Sequence, residues 1–194
     1  MRPGGSNAKG AEYERDVCRR LSLWVTDMRS QDIFWRSAGS GGRETNLIRH
    51  HRHCSGQSGD VVCIANPDVD SKSVDLGHLF LQLFCVECKY YQNLNLDRIF
   101  WGKTGEFFDA WSQALRQATA CNRMPLMIAK QNYRAQEVFC TDRTGRSFLR
   151  GAMPELKLRV SVHWANVYLF WFADALALPF SMIADAVKPT RKKK

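Results

Sequence analysis

The sequence has no apolar run long enough to cross a bilayer. Its longest run, residues 167–180, is interrupted by Asp174 and Pro179, whereas a transmembrane helix needs about 20 consecutive apolar residues. The polar N-terminal stretch, residues 1–10, lacks the apolar core of a secretory signal. We therefore expect no membrane association, and a location in the cytoplasm or in the nucleic-acid compartment of a host cell.

The cysteines lack the pattern of a disulfide framework. The chain has seven of them, an odd and scattered set, which indicates reduced thiols. Cys85 and Cys88 have Cys-x-x-Cys spacing, but residues three apart on a strand point to opposite faces. This spacing therefore favours neither a zinc site nor a thioredoxin-like motif. One thiol is expected in the core and the other beside the charged face described below.

Acidic residues are few compared with basic ones. The chain carries 19 acidic and 28 basic residues, for a net charge of +9. Five positive charges lie within residues 188–194, and nine minus five leaves +4 for the rest of the chain. A basic body with a basic tail favours a polyanionic partner, with nucleic acid ahead of a membrane surface. The alternative is an ordinary basic protein with a solvated end.

One apolar stretch ends on charges where none would be expected. Residues 79–86 form an apolar, β-branched and aromatic run that predicts a buried strand over residues 79–89, yet this strand carries Glu87 and Lys89. Residues two apart on a strand share a face, so both charges point the same way. Because an unpaired buried ion costs several kcal/mol, the pair indicates a function. Asp60, which begins the predicted strand at residues 60–65, supplies a second carboxylate.

Two carboxylates and a lysine suit metal-dependent phosphodiester hydrolysis. Mg²⁺ prefers oxygen ligands and commonly takes one or two carboxylates, which Asp60 and Glu87 can provide, and the backbone carbonyl of Cys88 is a candidate third ligand. Lys89 is suited to orient water or to offset charge on the phosphoryl group. The alternative is a structural ion pair at the end of a strand.

Glu14 is a further carboxylate in an unusual position. Residues 9–28 predict a helix whose apolar stripe includes Glu14, whereas Glu12 falls on the solvated side. Glu14 is therefore expected to reach the same metal site through a metal-bound water. The alternative is a helix-surface glutamate paired with Arg15 or Arg19.

The rest of the chain alternates between helix and strand patterns. The predicted segments are a mobile leader at 1–7, a strand at 32–36, a flexible loop at 37–42, a basic insertion at 43–58, a turn-rich loop at 66–77, a connector at 93–103, a helix at 105–122 capped by Thr104, strands at 126–130 and 137–141, and a strand leading into a short helix within 159–179. This order predicts an α/β fold with a central mixed β-sheet flanked by helices. A single domain is expected over residues 1–188, followed by a basic tail at 189–194.

Four motifs occur in a familiar order. They are Lys9-Gly-Ala-Glu-Tyr-Glu-Arg15, Trp35-Arg-Ser-Ala-Gly-Ser40, Gly59-Asp60 and Val86-Glu-Cys-Lys89. Together they resemble the PD-(D/E)XK nuclease superfamily, and most closely the archaeal-type Holliday junction resolvases of archaea and some viruses. The resemblance covers about residues 9–130, and the Arg-Ser-Ala-Gly-Ser string is its most specific element. It implies a restriction-endonuclease-like core at 9–130 and a C-terminal extension at 131–188.

The resemblance also implies roles for individual residues. The implied catalytic residues are Glu14, Asp60, Glu87 and Lys89. The expected DNA-contacting residues are Arg15, Arg36, Ser40, Arg43 and Lys130. Gln113 and Gln117 are candidates to face the site, as glutamines do in some nucleases of this superfamily, and the alternative is a pair of ordinary surface glutamines.

The insertion departs from the resolvase pattern, in which the Ser-Ala-Gly-Ser loop runs almost directly into the catalytic aspartate. It contains three histidines and a cysteine (His50, His51, His53 and Cys54). Their spacing is too tight for an ordinary zinc finger. The insertion's several arginines, among them Arg43, favour a loop that contacts the DNA backbone, and a disordered loop is the alternative.

These expectations combine into one functional hypothesis. We expect a Mg²⁺-dependent, structure-selective DNA endonuclease in which Mn²⁺ can substitute, acting on four-way junctions as a homodimer. The resemblance implies products with a 5′-phosphate. The alternatives are a related nuclease for flaps, duplex ends or specific sequences, a DNA-binding module with a nuclease fold but no activity, and a basic scaffold protein.

Overall fold

The computed structural model describes residues 5–37, 59–64, 66–92 and 104–188. Several sequence-based expectations fall outside these residues. They concern Ser40, Arg43, the histidines and cysteine of the insertion, the connector at 93–103 and the basic tail at 189–194.

The first helix, α1, spans Gly5–Val25, so it begins within the expected leader and ends before the predicted residue 28. Its buried face includes Tyr13, Val17 and Leu21, each four residues apart, a spacing typical of an amphipathic helix. Asp27 and Met28 have positive φ angles of 53° and 63°, which end the helix. Met28, the last residue of the predicted helix, therefore lies outside α1, and its side chain is exposed.

Two short strands follow α1 and form a small antiparallel sheet. They are β1 (Phe34–Arg36) and β2 (Val61–Cys63), and Arg36 pairs with Val61. Both are shorter than the predicted strands at 32–36 and 60–65. The backbone N–H of Asp60, just before β2, donates to the carbonyl of Val86 at 2.8 Å. This bond joins the small sheet to the edge of the central one.

A helix stands where a turn-rich loop was expected. This helix, α2, spans Ser71–Leu83 and is followed directly by β3, Phe84–Tyr91, so the loop prediction at 66–77 and the predicted start of the strand at residue 79 are wrong. Asp70 caps α2, because its carboxylate accepts from the backbone N–H of Ser73 at 2.9 Å. Gly77 is buried where an added Cβ would lie 2.5 Å from a methyl group of Ile33.

The central sheet has the strand order β3-β4-β5-β7-β6. Its members after β3 are β4 (Met124–Gln131), β5 (Glu137–Thr141), β6 (Val160–Val162) and β7 (Val167–Trp171). β3 and β4 are parallel and the other pairs are antiparallel. The predicted mixed sheet and the predicted strands at 126–130 and 137–141 are therefore confirmed.

The remaining helices only partly match the sequence prediction. α3 spans Glu106–Ala120 and has Gly105 at its N-cap without a side-chain hydrogen bond, so Thr104 does not cap it. α4, Arg143–Ala152, was not predicted, and Asp142 caps it by accepting from Gly145 at 2.8 Å. A 3₁₀ turn at His163–Ala165 divides the expected C-terminal strand into β6 and β7. α5 (Phe172–Leu176) and α6 (Ser181–Val187) follow β7.

The central sheet separates two apolar clusters. On one face, residues of α1, α2, α4 and α6 pack with Val86, Cys88 and Ile128 of the sheet. On the other face, α3 packs with Met127 and Ala129. Side chains alternate along a strand, so Glu87 and Lys89 lie on the α3 face of β3. Within the described residues, none of the helices is both long and apolar enough to cross a membrane.

Candidate active site

The open edge of β3 is where Asp60 docks. The backbone N–H of Asp60 donates to the carbonyl of Val86 at 2.8 Å, and one carboxylate oxygen accepts from the N–H of Cys88 at 2.8 Å. The N–H of Ser37 in turn donates to the Asp60 carbonyl at 2.9 Å. The Asp60 side chain is 4% exposed. These bonds fix the carboxylate at the edge of β3, beside the backbone of Cys88.

The backbone of Cys88 also points toward this edge. In an extended strand, the N–H and C=O of one residue face the same side. Because the N–H of Cys88 donates to Asp60, its carbonyl faces the same edge. The two thiols lie on opposite faces, as predicted. Cys88 packs in the apolar cluster on the α1 face, and Cys85, three residues earlier, lies on the same face as Glu87.

Gly59 permits the close approach of Asp60 to β3. Its φ angle is +90°, and an added Cβ would lie 2.4 Å from the carbonyl oxygen of Val86. A residue with a side chain would be strained by this backbone angle and would also push the chain away from the strand. Glycine at this position is therefore required by the contact that places Asp60.

Replacing Gly59 with alanine is expected to destabilise the protein by roughly 2 to 4 kcal/mol, from backbone strain and overpacking together. Gly151→Ala is the matched control. Nothing lies within 4 Å of an added Cβ at Gly151, so alanine there should stabilise α4 by about 0.5 to 1 kcal/mol. Urea unfolding measures both changes. A Gly59→Ala variant as stable as the wild type would contradict the proposed packing against Val86.

Glu87 and Lys89 form a partly buried ion pair on the α3 face. The ammonium group of Lys89 lies 2.6 Å from Oε1 of Glu87, whose side chain is 1% exposed. Gln113 of α3 donates to the same Oε1 at 3.1 Å. Gln113 therefore contacts a residue of the candidate site. Gln117, one turn further along α3, is buried.

The charges at this edge interact strongly. Burial, followed by the negative charge of Glu87, raises the pKa of Asp60 well above its ordinary value, although the N–H of Cys88 partly opposes the shift. Burial alone would lower the pKa of Lys89, but the carboxylates of Glu87 and Asp60 outweigh it and raise that pKa. Two carboxylates are thus held in a poorly solvated place with one lysine beside them.

Glu14 approaches the same edge from α1. Its side chain is 14% exposed and forms an ion pair with Arg36 of β1. Arg36 is therefore a partner of Glu14, whereas the alternative interpretation of Glu14 had paired it with Arg15 or Arg19. Glu14 is also close enough to Asp60 for its charge to contribute to the raised pKa of that residue. Glu12 is exposed to solvent, as the helical stripe predicted.

Two residues expected to contact DNA lie at different places. Arg15 is exposed on α1, on the side of the helix that faces β1. Lys130 pairs with Tyr90 in the sheet and lies 3.4 Å from Glu137, on the α1 face and opposite to Lys89.

The buried Glu137 also forms an ion pair with Arg20 of α1. This charge cluster was not predicted from the sequence.

Comparison with known families provides the identification. A family described as "Phage putative PDDEXK endonuclease" matches residues 5–148. The chain belongs to this PD-(D/E)XK endonuclease family. The match contains the whole region, residues 9–130, in which the sequence motifs resemble the superfamily, so that resemblance is confirmed. No curated protein and no solved structure matches the chain.

The architecture also agrees with membership of the PD-(D/E)XK endonuclease family. A mixed five-stranded sheet flanked by helices is consistent with the expected restriction-endonuclease-like fold. The Gly59-Asp60 step and the Glu87-x-Lys89 pair, two of the motifs on which the sequence resemblance rests, lie close together at β3. A nuclease binds nucleic acid, which agrees with the net charge of +9.

PD-(D/E)XK nucleases generally use divalent metal ions, and the donors at this edge fit one. A cation would offset the two carboxylates whose proximity raises the pKa of Asp60. Among the residues that the structure describes, no group of three or more His, Cys, Asp and Glu side chains is arranged to enclose a metal. This does not conflict with Mg²⁺, which typically takes one or two carboxylates and keeps water and phosphate as its other ligands.

Proposed function

We propose that this chain is a Mg²⁺-dependent DNA endonuclease with Glu14, Asp60, Glu87 and Lys89 as its catalytic residues. The observation that carries the proposal is the meeting of two buried carboxylates, Asp60 and Glu87, at one strand edge with Lys89 beside them. Such a buried arrangement is unfavourable without a cation. It lies in a basic chain that belongs to an endonuclease family.

Asp60, Glu87 and the carbonyl of Cys88 would hold the metal. When bound, Mg²⁺ lowers the pKa of water and offsets charge on the phosphate. Lys89 would orient the attacking water or neutralise the phosphoryl oxygens. Gln113 keeps the Glu87 carboxylate in place through its hydrogen bond of 3.1 Å. Mn²⁺, which also accepts carboxylate and carbonyl oxygens, is expected to substitute for Mg²⁺.

Arginines near the edge would bind the DNA backbone. Arg36 lies next to Glu14, which places its guanidinium beside the carboxylates, and Arg15 is exposed on the neighbouring helix. Guanidinium groups bind phosphate in a bidentate manner. We also propose backbone contacts for Lys130, on the other face of the sheet, and for Ser40 and Arg43, which lie outside the described residues.

Glu14→Gln should lower the cleavage rate about ten- to a hundredfold, whereas Glu12→Gln should change it less than twofold. Only Glu14 lies beside the Asp60 edge, where a carboxylate can hold a water in the site. Single-turnover cleavage of labelled duplex and branched DNA in Mg²⁺ measures both variants, which carry the same change of charge. Equal losses, or a larger loss for Glu12→Gln, would contradict the role of Glu14.

We further propose branched DNA, and four-way junctions in particular, as the substrate. This proposal is supported by the Arg-Ser-Ala-Gly-Ser string of residues 36–40 and its resemblance to junction resolvases. A resolvase cuts two symmetric strands, so a homodimer with two active sites follows from it. The substrate would be recognised by its shape.

The deciding experiment incubates the protein with labelled four-way junction, flap and linear duplex, with and without Mg²⁺. Sedimentation of the protein without DNA gives its oligomeric state. We expect the protein to be a dimer without DNA, to require Mg²⁺ for cleavage, and to cut opposite strands of the junction in pairs. A monomer that prefers flaps or linear duplex would contradict the resolvase assignment but not the nuclease function. DNA binding without any cleavage would instead indicate an inactive nuclease-fold module.

A further inference from the structure

A groove of about 320 Å³ runs between α1 and β1. The residues that line it are Arg15, Cys18, Arg19, Gln31, Asp32, Phe34, Trp35 and Arg36. The set contains three guanidinium groups and a single carboxylate, so the lining is basic, although Arg36 pairs with Glu14 and Arg19 lies 4.0 Å from Asp16. Its volume lies at the small end of the range for pockets that hold small organic ligands, which suits one nucleotide.

Trp35 is an unusual side chain in this place. Its ring is 48% exposed, although a large aromatic side chain normally contributes to a core. Its indole N–H donates to the carbonyl of Asp32 at 3.1 Å, which holds the ring in one orientation. An exposed, oriented aromatic ring among arginines is the combination that proteins use to bind unpaired nucleotides, because each base can stack on the ring while its phosphate meets a cation.

The groove lies a short distance along the chain from the proposed metal site. Ser37, whose N–H donates to the Asp60 carbonyl at 2.9 Å, lies two residues after Trp35. Two residues of extended chain span about 7 Å, which is about two nucleotide steps of duplex DNA. Arg36 lies between them, lines the groove and pairs with Glu14. A strand whose phosphate sits beside Asp60 therefore passes the groove within one or two nucleotides.

We propose that the α1–β1 groove binds one unpaired nucleotide of the DNA strand next to the cleavage site, with its base stacked on Trp35 and its flanking phosphates held by Arg15 and Arg19. This inference rests on the proposed nuclease function and specifies its substrate class. The preferred DNA contains an unpaired or splayed base one or two nucleotides from the cut. Intact duplex offers no such base, so it cannot use the ring of Trp35.

Equilibrium binding without metal tests the groove separately from catalysis. The probes are a single-stranded oligonucleotide, a blunt duplex and a duplex with a single-stranded flap. Trp35→Ala should weaken binding of the single strand and the flap about tenfold and binding of the blunt duplex less than twofold. Trp35→Phe should restore most of the loss. Trp164→Ala is the matched control, because Trp164 is 53% exposed but stacks on Phe108, away from the groove.

An abasic scan on the wild-type protein covers the case in which Trp35→Ala fails to fold. Removing one base at a time from the flap should weaken binding at a single position, and the Trp35→Phe variant should show a smaller loss at that position. Arg15→Ala and Arg19→Ala should each reduce the slope of log affinity against log salt for the single strand by about 0.7.

Two results would overturn the groove assignment. One is an equal loss of duplex and single-strand binding in Trp35→Ala, which would mean that the groove binds a duplex backbone. The other is an abasic scan without a sensitive position. If either result appears while the wild type still cleaves DNA with Mg²⁺, the groove assignment is wrong and the proposed nuclease function stands. If binding depends on Trp35 but the wild type does not cleave DNA under any metal condition, the groove assignment stands and the proposed nuclease function fails.

Discussion

Replacing Asp60 with asparagine is expected to lower the rate of DNA cleavage at least about a thousandfold while DNA binding is kept or improved. The loss follows because a metal ligand is removed, and metal ions contribute several kcal/mol to the stabilisation of the transition state. Binding persists because one negative charge beside the phosphate disappears and the amide oxygen can still accept from the N–H of Cys88. Single-turnover cleavage and metal-free binding assays measure the two effects.

The same experiment has a built-in comparison. Glu87→Gln should behave like Asp60→Asn, because both carboxylates are buried at the same edge. Asp75→Asn, an identical substitution on the exposed side of α2, should leave cleavage within twofold of the wild type. If Asp60→Asn retains activity close to the wild type, the metal-site assignment is wrong.

Asp60→Asn should also make the metal-free protein more stable at high pH. The pKa of Asp60 is raised in the folded state, first by burial and then by Glu87. As the pH rises above the ordinary range for aspartate, the unfolded chain ionises first and binds fewer protons, so stability falls with rising pH. Below that range both states are protonated and the penalty disappears. The variant lacks this ionisation, so its stability should not fall in this way as the pH rises.

Thermal unfolding in EDTA, followed from pH 4 to pH 8, checks this expectation. The variant should unfold at a higher temperature than the wild type at pH 8, and the difference should shrink toward pH 4. Adding Mg²⁺ should raise the unfolding temperature of the wild type and leave that of the variant nearly unchanged. If the difference in unfolding temperature between the two proteins does not change with pH, the folded state does not raise the pKa of Asp60.

Lys89→Met is expected to lower the cleavage rate about a hundred- to a thousandfold. Removing one preorganised group that stabilises developing charge typically has an effect of this size. Methionine keeps much of the length of the side chain and removes the ammonium group that lies 2.6 Å from Glu87. Lys72→Met, on the exposed side of α2, is the matched control and should retain full activity. A Lys89→Met variant with more than a tenth of wild-type activity would contradict a catalytic lysine.

Loss of stability must be separated from loss of catalysis in this variant, because breaking a buried ion pair is itself destabilising. Glu87→Gln in the Lys89→Met background removes the buried charge that Lys89 no longer neutralises. We expect this double variant to regain most of the lost stability, measured by urea unfolding, and none of the activity. Recovery of both would mean that Lys89 serves only to neutralise Glu87.

The charged residues of the site could be recognised from local patterns. The Glu87-x-Lys89 pair shares a strand face because side chains alternate, and Glu14 was separated from Glu12 by the helical stripe. Both inferences need only the local periodicity of one element. The structure agrees with each, since Lys89 contacts Glu87 and Glu14 is far less exposed than Glu12.

The helix α2 shows where local patterns mislead. Its first turns contain Ser71, Ser73 and Gly77, residue types that usually indicate turns. Its last residues, from Leu79 onward, are apolar except for Gln82 and lead directly into β3. A short apolar run does not distinguish a buried helix from a strand. The helix is stabilised instead by the cap at Asp70 and by tertiary packing, including the fit of Gly77 against Ile33.

The assembly of the site depends on contacts distant in sequence, which no local pattern contains. Asp60 docks on Val86 and Cys88, more than twenty positions along the chain, and Gly59 permits that approach only in the folded state. The pairing of Glu14 with Arg36 likewise depends on how α1 packs against β1. Only the family resemblance predicted that these residues share one site, because members of a family share a fold and therefore its long-range contacts.

Anomalous scattering from a crystal soaked in Mn²⁺ tests the central claim most directly. The account predicts a manganese peak at the edge of β3, bonded to the carboxylates of Asp60 and Glu87 and to the carbonyl of Cys88. The same peak should be absent from crystals of Asp60→Asn prepared in the same way. A wild-type protein that cleaves DNA with Mn²⁺ but shows its manganese elsewhere, or none at this edge, would contradict the account.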